Sequence, residues 1–202
     1  MAIYSYTPVT TTGPYGTTYT LRRSEDIKIV ELGKAKTKVY VSIQGTDIPE
    51  QPEQIDFKKD TLPATLLAEI KQKRLAELTA IAHDFDDRVL NTNMYIVSSL
   101  GFKVNADLRS QNNLRGLIEI VGDNTTNFID YTNTAHELTK AQLGVLLHEC
   151  IENGVSLYQQ KWAYANSINS ATGKDDETLT QEFVFVMQDF SKEIVNEEVA
   201  TL

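Results

Sequence analysis

Cysteine is nearly absent from this sequence, which has one, Cys150, among 202 residues. A single cysteine cannot form a disulfide within the chain. Cys150 lies in the apolar run of a predicted helix, where we expect a buried, unreactive thiol. Residues 1–16 have no basic segment followed by an apolar run, so we expect no secretory signal. No stretch reaches the roughly 18 apolar residues that span a bilayer, so we expect no membrane insertion.

Positive charge is also scarce, with 19 Lys and Arg against 28 Asp and Glu, for a net charge of -9. Binding to nucleic acid needs concentrated Lys and Arg, so the composition predicts no nucleic-acid partner. Neither GxxxxGK[ST] nor GxGxxG occurs, so nucleotide binding has no support. The apolar content of 41% is enough for a core, and the length suits one medium domain or two small ones.

Patterns typical of catalysis or metal binding are incomplete. The segment His83–Asp87 is the densest group of possible ligands, but helical spacing brings only two of its side chains to one face. His148-Glu149 resembles the start of a zinc-protease motif, although Glu152 stands where the second His is required. In His136–Glu137 the carboxylate is better explained by the helix N-terminus that follows. We therefore predict no catalytic residue, no metal site, no cofactor and no enzymatic activity.

The N-terminal part of the chain predicts three segments. Residues 1–16 are rich in Thr, Tyr, Pro and Gly and suit an extended arm that becomes ordered against a partner. Residues 17–44 alternate between apolar and polar positions and predict a small β-meander, with strands at 17–24, 27–32 and 37–43. Residues 45–62 contain prolines and predict a linker. Within the arm we expect interface contacts from the aromatic residues Tyr4, Tyr6 and Tyr15.

Residues 63–171 predict an α+β module with two long helices. A helix over 63–91 is followed by a hairpin, a short helix, one strand and a second long helix from Thr139 to about Ser170. The helices are long for so small a module, so we expect part of their surface to lie against another chain. The predicted apolar stripe of the second long helix consists of Leu143, Leu147, Ile151 (or Cys150), Gly154, Tyr158, Trp162 and Ala165.

The last segment, 172–202, is acidic and repeats apolar residues at heptad-like spacing. We predict an acidic amphipathic helix, with a strand through the FVFV stretch as the competing interpretation. Such a helix either covers its own domain or docks on a sister subunit. The interface residues predicted from this segment and from the preceding long helix are Tyr158, Trp162, Phe183, Val186, Phe190 and Ile194.

Residues in the central module carry a family resemblance. The order of features is a helix ending in Arg88, a Gly101-Phe102 pair, the run Asp107–Gln111, the run Leu138–Leu143, and the pair Tyr158 and Trp162. This order resembles a domain of unknown function that recurs in the tail and tail-fibre proteins of bacteriophages, over about residues 73–170. Many members have a Trp in the strand before the long helix, whereas this chain has Phe128 or Tyr131 in that region.

The resemblance implies a setting and supplies no catalytic residues. We expect a structural or interaction protein of a bacteriophage virion, in the tail, baseplate or tail-fibre attachment region. Its partners would be other virion proteins and further copies of itself, with synthesis in the host cytoplasm. One alternative is a tail-fibre assembly chaperone. Another is a wall- or glycan-degrading tail enzyme, which would need two carboxylates about 5–10 Å apart, and the sequence nominates no such pair.

Overall fold

The computed structural model of the chain describes residues 2–8, 27–45, 50–51, 55–88, 95–174 and 176–192. The predicted α+β fold class is confirmed, because long α-helices occur together with antiparallel sheets. The chain divides into two units. Unit 1 draws on Met1–Leu78 and Tyr164–Phe183, and unit 2 draws on Thr79–Ala163 and Val184–Leu202.

Unit 1 contains a four-stranded antiparallel sheet in the order β2-β3-β1-β4. Its strands are β1 (Ala2–Tyr6), β2 (Lys28–Ala35), β3 (Lys38–Gln44) and β4 (Lys58–Lys59). The β-branched and aromatic residues of β3 favour a strand, and five consecutive residues of it are buried. The β2–β3 hairpin agrees with the second half of the predicted meander, while the strand predicted at 17–24 lies outside the described residues.

The predicted extended arm is corrected at its start. Ala2–Tyr6 is an inner strand of the sheet, because its alternating pattern turns Ile3 and Ser5 inward and lets both of its edges pair. Residues 9–16 lie outside the described residues. The predicted linker 45–62 is also more structured than expected, since it supplies β4 and buries Leu62 in the core of unit 1.

Helix α1 (Ala64–Arg88) runs close to its predicted bounds. Leu66 and Ile70 stand one turn apart and pack against Ile3 and Tyr40 of the sheet, which forms a core of unit 1. In the same unit the guanidinium of Arg74 donates to the hydroxyl of Tyr164 at 2.6 Å. The polar member of the predicted α1 stripe is therefore half-buried with a hydrogen-bond partner.

Unit 2 is built from two hairpins and two helices. Its elements are β5 (Tyr95–Val97), β6 (Lys103–Asn105), α2 (Leu108–Ile120), β7 (Thr125–Ile129), β8 (Ala135–Thr139) and α3 (Lys140–Ser170). The last residues of α1, from Thr79, also belong to unit 2, and α3 continues into unit 1. The single strand predicted before α3 is in fact a hairpin, because residues 135–139 pair with β7 in antiparallel register. The second strand is polar in composition, so the sequence did not indicate it.

Local capping sets where the helices of unit 2 begin. The Asp107 side chain accepts a hydrogen bond from the Ser110 N–H at 2.8 Å at the start of α2. At the start of α3 the Thr139 hydroxyl accepts from the Gln142 N–H at 3.3 Å. The Gln142 side chain in turn accepts from the Thr139 N–H at 3.0 Å, which completes a capping box. These interactions depend on neighbouring residues alone, so the sequence indicates them directly.

The core of unit 2 packs α3 against both hairpins and α2. Ile96, Val104, Leu143 and Leu146 are completely buried there. Cys150 is buried in the same cluster, as predicted. Burial, with the nearby Glu149 and Asp107 carboxylates adding to it, raises the pKa of its thiol to about 12. The thiol therefore stays protonated and unreactive.

The predicted C-terminal α-helix is wrong for residues 176–192. Two short 3₁₀ turns, Glu177–Leu179 and Phe190–Lys192, flank an extended stretch. Val184 and Val186 are strongly exposed while the residues between and after them are half-buried, a period of two that suits extended chain. The competing strand interpretation was nearer, although only one bridge, from Asp189 to Val97, joins this stretch to a strand. Residues 193–202 lie outside the described residues.

Candidate interaction surface

Helix α3 has an apolar core face that differs from the predicted stripe. The buried residues of unit 2 on this helix are Leu143, Leu146, Glu149, Cys150, Asn153 and Leu157. At about 100° per residue, this face is rotated by roughly 100° from the stripe predicted on the sequence. The prediction was therefore correct for Leu143 and wrong for most of the residues that follow it.

The same helix exposes a second row of apolar side chains, which we name the outer stripe. Its members are Ile151, Val155, Tyr158 and Trp162, whose exposed fractions are 41%, 53%, 62% and 53%. The spacing of four, three and four residues is that of a coiled-coil seam. The row lies about 130° around the helix from the core face, so one helix cannot bury both rows against the same neighbour.

Tyr158 and Trp162 form the widest part of the outer stripe. Their rings meet edge to face, with centroids 6.2 Å apart and planes at 62°. Both residues belong to the stripe predicted on the sequence, and both are exposed in the structure. The two rings support each other and leave their outward surfaces open to solvent.

Gly154 stands beside the outer stripe, and the described residues give it no packing partner. A Cβ built there meets no atom of the described residues within 4 Å, apart from the helix's own backbone and its chain neighbours. Gly inside a helix costs about 1 kcal/mol relative to Ala. The sequence predicts that a close neighbour offsets this cost, and the described part of the chain supplies no such neighbour.

The charges that flank the outer stripe nearly balance, although the chain as a whole is acidic. His148 lies 3.7 Å from Glu152, one turn away along α3. Lys161 is half-buried beside Trp162. A surface with this balance does not repel a second copy of a chain whose net charge is -9.

Most of the other predicted interface residues are used within their own unit. The rings of Tyr4 and Tyr6 pack on Phe57, with centroids 6.4 Å and 5.3 Å away. Burial, and the charge of Glu31, raise the pKa of Tyr6. These two tyrosines are therefore parts of the sheet and not of a free arm, which corrects the prediction for them.

The C-terminal residues separate into two groups. Phe183 packs against Tyr164 at 4.8 Å between centroids, and Phe190 is only 4% exposed in the core of unit 2. Phe190 is therefore not available to a partner in this arrangement, contrary to the prediction. Val186 is 67% exposed. The remaining two predicted positions, Tyr15 and Ile194, lie outside the described residues.

Glu149 is a buried carboxylate that shapes a turn. Its two oxygens accept from the Ser98 hydroxyl at 2.6 Å and from the Ser99 N–H at 3.0 Å. The Ser98 oxygen in turn accepts from the Leu100 N–H at 3.1 Å. The arrangement holds the turn between β5 and β6 and satisfies the carboxylate. The partial resemblance of His148-Glu149 to a zinc-protease motif therefore has a structural explanation.

Asp130 and His136 form a close pair of ionisable groups in unit 2. The ring Nε2 of His136 lies 2.9 Å from an Asp130 oxygen, and because a carboxylate only accepts, Nε2 is the donor. The other oxygen accepts from the N–H groups of Thr132 and Thr134 at 2.7 and 2.8 Å. The imidazole stacks on Phe102 with centroids 3.9 Å apart. All these groups shape the β7–β8 turn.

The environment of Asp130 strongly favours its charged form. Burial would raise its pKa, but hydrogen bonds from His136, Thr134 and Thr132 outweigh burial and lower the pKa to about 2. An Asp–His pair becomes catalytic when a nucleophile or a substrate stands beside it. Here the carboxylate is occupied by the backbone of its own turn, so we assign the pair a structural role.

The described residues offer no metal-binding cluster and one open depression. These residues contain no group of three or more His, Cys, Asp and Glu side chains placed to hold a metal ion. An open depression of about 470 Å³ in unit 1 is lined by Lys34, Lys36 and Lys38 at the β2–β3 turn. Lys38 already pairs with Asp60 at 3.0 Å, and the side chains of this depression are too exposed to form a preorganised anion-binding site.

Among the described helices none is long and apolar enough to cross a membrane.

Comparison with known proteins supports the resemblance seen in the sequence. A family model described as a domain of unknown function, DUF4376, matches residues 61–185. The match includes α1, α2 and α3 and ends at Phe185, within the extended C-terminal stretch. It therefore reaches further in both directions than the resemblance at 73–170. No curated protein and no solved structure matches the chain significantly.

Proposed function

The chain belongs to the DUF4376 family, and from this premise we propose that it is a structural interaction protein of a bacteriophage virion, acting in the tail, baseplate or tail-fibre attachment region. It acts by self-association through the outer stripe and by attachment to other virion proteins. The phage setting rests on the family resemblance, and the mode of action rests on the surface of α3.

The outer stripe is the observation that carries the proposal. A Tyr or Trp side chain can bury about 150–250 Å² of surface, and more than half of each of these two rings is exposed. Together with Ile151 and Val155 they form a continuous apolar row at coiled-coil spacing. Contiguous apolar patches of a few hundred Å² on a protein surface mark interaction sites. A second α3 helix, with the same spacing and a balanced flank, fits this row.

The buried ionisable groups favour an assembly role over chemistry. Glu149 and Asp130 are both saturated by hydrogen bonds within their own turns. A glycan-cleaving enzyme needs two carboxylates that face each other across a cleft and remain accessible to substrate. The proposed function therefore does not depend on any reactive group of this chain.

Sedimentation velocity of the full chain tests the self-association. We expect a concentration-dependent oligomer for the wild type and a monomer for Trp162→Glu, because a carboxylate in an apolar seam is desolvated without a partner. The matched control is Ile120→Glu, which places the same charge at an exposed isoleucine at the end of α2, away from the stripe. This control should sediment as the wild type does.

Two results would contradict the proposal. One is a wild-type chain that remains monomeric at high micromolar concentration. The other is an equal loss of association in Trp162→Glu and Ile120→Glu, which would indicate general solubility effects. Circular dichroism of each variant checks that the fold is retained, and exposed positions of this kind tolerate substitution within about 0.5 kcal/mol.

A tail-fibre assembly chaperone is the second candidate, favoured by the same exposed apolar row, since a chaperone would use it to shield a fibre. Quantitative mass spectrometry of purified virions separates the two roles. A structural component is present in a fixed copy number per particle, whereas a chaperone is absent from finished particles or present in traces.

A further inference from the structure

Three polar side chains of α3, which we name the clasp, hold the extended segment 184–190 within unit 2. The clasp consists of Asn153, Ser156 and Gln160. The Gln160 amide accepts from the Val186 N–H and donates to the Val186 carbonyl, both at 2.9 Å. Asn153 accepts from the Gln188 N–H at 2.9 Å, and Ser156 accepts from the Gln188 side-chain amide at 2.6 Å. The clasp therefore binds mainly the backbone of the segment.

Two side chains anchor the segment in the core of unit 2. Phe190 is buried there, and Met187 packs against the same cluster. The Val97 N–H of β5 donates to the Gln188 carbonyl at 3.3 Å, which adds one strand-like contact. Val184 and Val186 point outward. Backbone recognition combined with two buried anchors is how proteins bind extended peptides.

The chain enters this segment through an extended stretch and not through a helix. It passes between the two units at residues 78/79, 163/164 and 183/184. The first passage lies inside α1 and the second inside α3, whereas the third lies in extended chain. The segment 184–190 can therefore leave its site without unwinding α1 or α3. Leaving the site breaks the contacts described above.

We propose that the clasp is a strand-exchange site, and that its occupant in an assembled state is the segment 184–190 of a second copy. The segment of a second copy places the same two anchors and the same Gln188 in the site. Exchange then replaces each contact by an identical one, so it needs no new interaction energy. The site recognises the backbone and two anchor side chains. It therefore cannot distinguish the segment of its own chain from the segment of a second copy.

The length of the segment limits which copy can donate it. Seven extended residues reach roughly 23 Å at about 3.3 Å per residue, so the donor must be a direct neighbour. Within one chain the segment has an effective concentration in the millimolar range. Exchange is therefore suppressed in dilute solution and favoured where copies are held side by side.

The clasp is separate from the outer stripe. Gln160 and Trp162 are two positions apart, which places them about 200° apart around α3. Strand exchange therefore does not require that copies of the chain associate through the outer stripe. A variant that blocks the stripe leaves the exchange site intact, so the two proposals fail or succeed independently.

Cross-linking between two full-length chains tests the exchange. Ser156→Cys is made in one tagged chain and Gln188→Cys in a chain with a different tag, and the mixture is treated with a short bismaleimide. At about 1 mM, where trans exchange competes with the cis segment, we expect a covalent product that carries both tags, in Trp162→Glu and in wild-type backgrounds alike. The double variant in one chain should instead close internally in dilute solution.

Three controls make the result decisive. The wild type, with only the buried Cys150, should give no product. In the second control, the second chain carries Val186→Cys in place of Gln188→Cys. The side chain at position 186 points away from the clasp, so the product should fall at least tenfold. A second pair, Asn153→Cys with Met187→Cys, uses a contact of 3.9 Å and guards against misfolding of the first pair. The proposal is overturned if both pairs give no two-tag product at 1 mM, or if Val186→Cys gives as much.

Discussion

The side-chain amide of Gln160 forms hydrogen bonds to both the N–H and the carbonyl of Val186, each at 2.9 Å. A neighbouring strand would bond to the same two backbone groups. An extended chain normally satisfies these groups in a sheet. Here a helix supplies the donor and the acceptor from one side chain. The segment 184–190 can therefore be extended without belonging to a sheet.

Removing this amide should weaken the attachment of the segment. We expect Gln160→Ala to lower the free energy of unfolding by about 1–2 kcal/mol, since two hydrogen bonds at a partly exposed site are lost. Gln159→Ala, at the exposed neighbouring position, is the control and should change stability by less than about 0.5 kcal/mol. Urea denaturation measures both variants. Similar effects of the two substitutions would show that the amide does not hold the segment.

Glu149 should matter far more for stability than its exposed neighbour on the next turn. We expect Glu149→Ala to cost about 3 kcal/mol, because the Ser98 hydroxyl and the Ser99 N–H lose a charged acceptor in a buried turn. Glu152→Ala should be nearly neutral, since its contact with His148 is a solvent-exposed ion pair. Thermal and urea denaturation of both variants provide the comparison. Equal effects would contradict the structural role assigned to Glu149.

Asp130 should make the stability of the fold depend on acidic pH. Its pKa is about 2 in the folded chain, below the ordinary value of 3.8, so the unfolded chain binds a proton more readily. The stabilisation is therefore fully present above about pH 4 and is lost as the pH falls through about 2.

The substitution Asp130→Asn isolates this contribution. The difference in the free energy of unfolding between wild type and variant should be larger near pH 6 than near pH 2, when both are measured by urea denaturation. Asp123→Asn, at an exposed turn position, is the matched control and should show no such trend. A difference for Asp130→Asn that stays constant across this range would refute the assignment.

Gly154 should separate the stability of one chain from its self-association. A Cβ there meets open space within the described residues, so Gly154→Ala should stabilise the single chain by about 0.5–1 kcal/mol. If a partner helix packs beside the outer stripe, the added methyl group weakens the oligomer. Gly116→Ala in α2 meets open space as well and should stabilise the chain without changing association. Sedimentation combined with urea denaturation distinguishes these outcomes.

Parts of the fold could be predicted because their causes are local. The start of α3 follows from the Thr139–Gln142 capping box, and the start of α2 follows from the Asp107 cap, both of which involve residues three positions apart. The hairpin of β7 and β8 was missed because its second strand, AHELT, lacks a strong β pattern. Its stability comes from partners on β7 and from the Asp130 turn.

The clasp left no signal in the sequence. Asn153, Ser156 and Gln160 are polar residues in a helix, and such residues usually indicate a solvated face. The same limitation applies to the segment 184–190, whose heptad-like spacing suggested a helix. What decides its conformation is the distant backbone recognition by Gln160 and Asn153.

The sequence by itself determined the α+β class, the family, the long helices and the inert cysteine, because periodicity, capping and composition act over a few residues. Only the tertiary structure decided which face of α3 is buried and that the acidic C-terminal stretch is extended. An apolar residue has the same transfer energy on either side of a helix. The side that becomes the core depends on which distant strands and helices pack against it, and so does the side left open as the outer stripe.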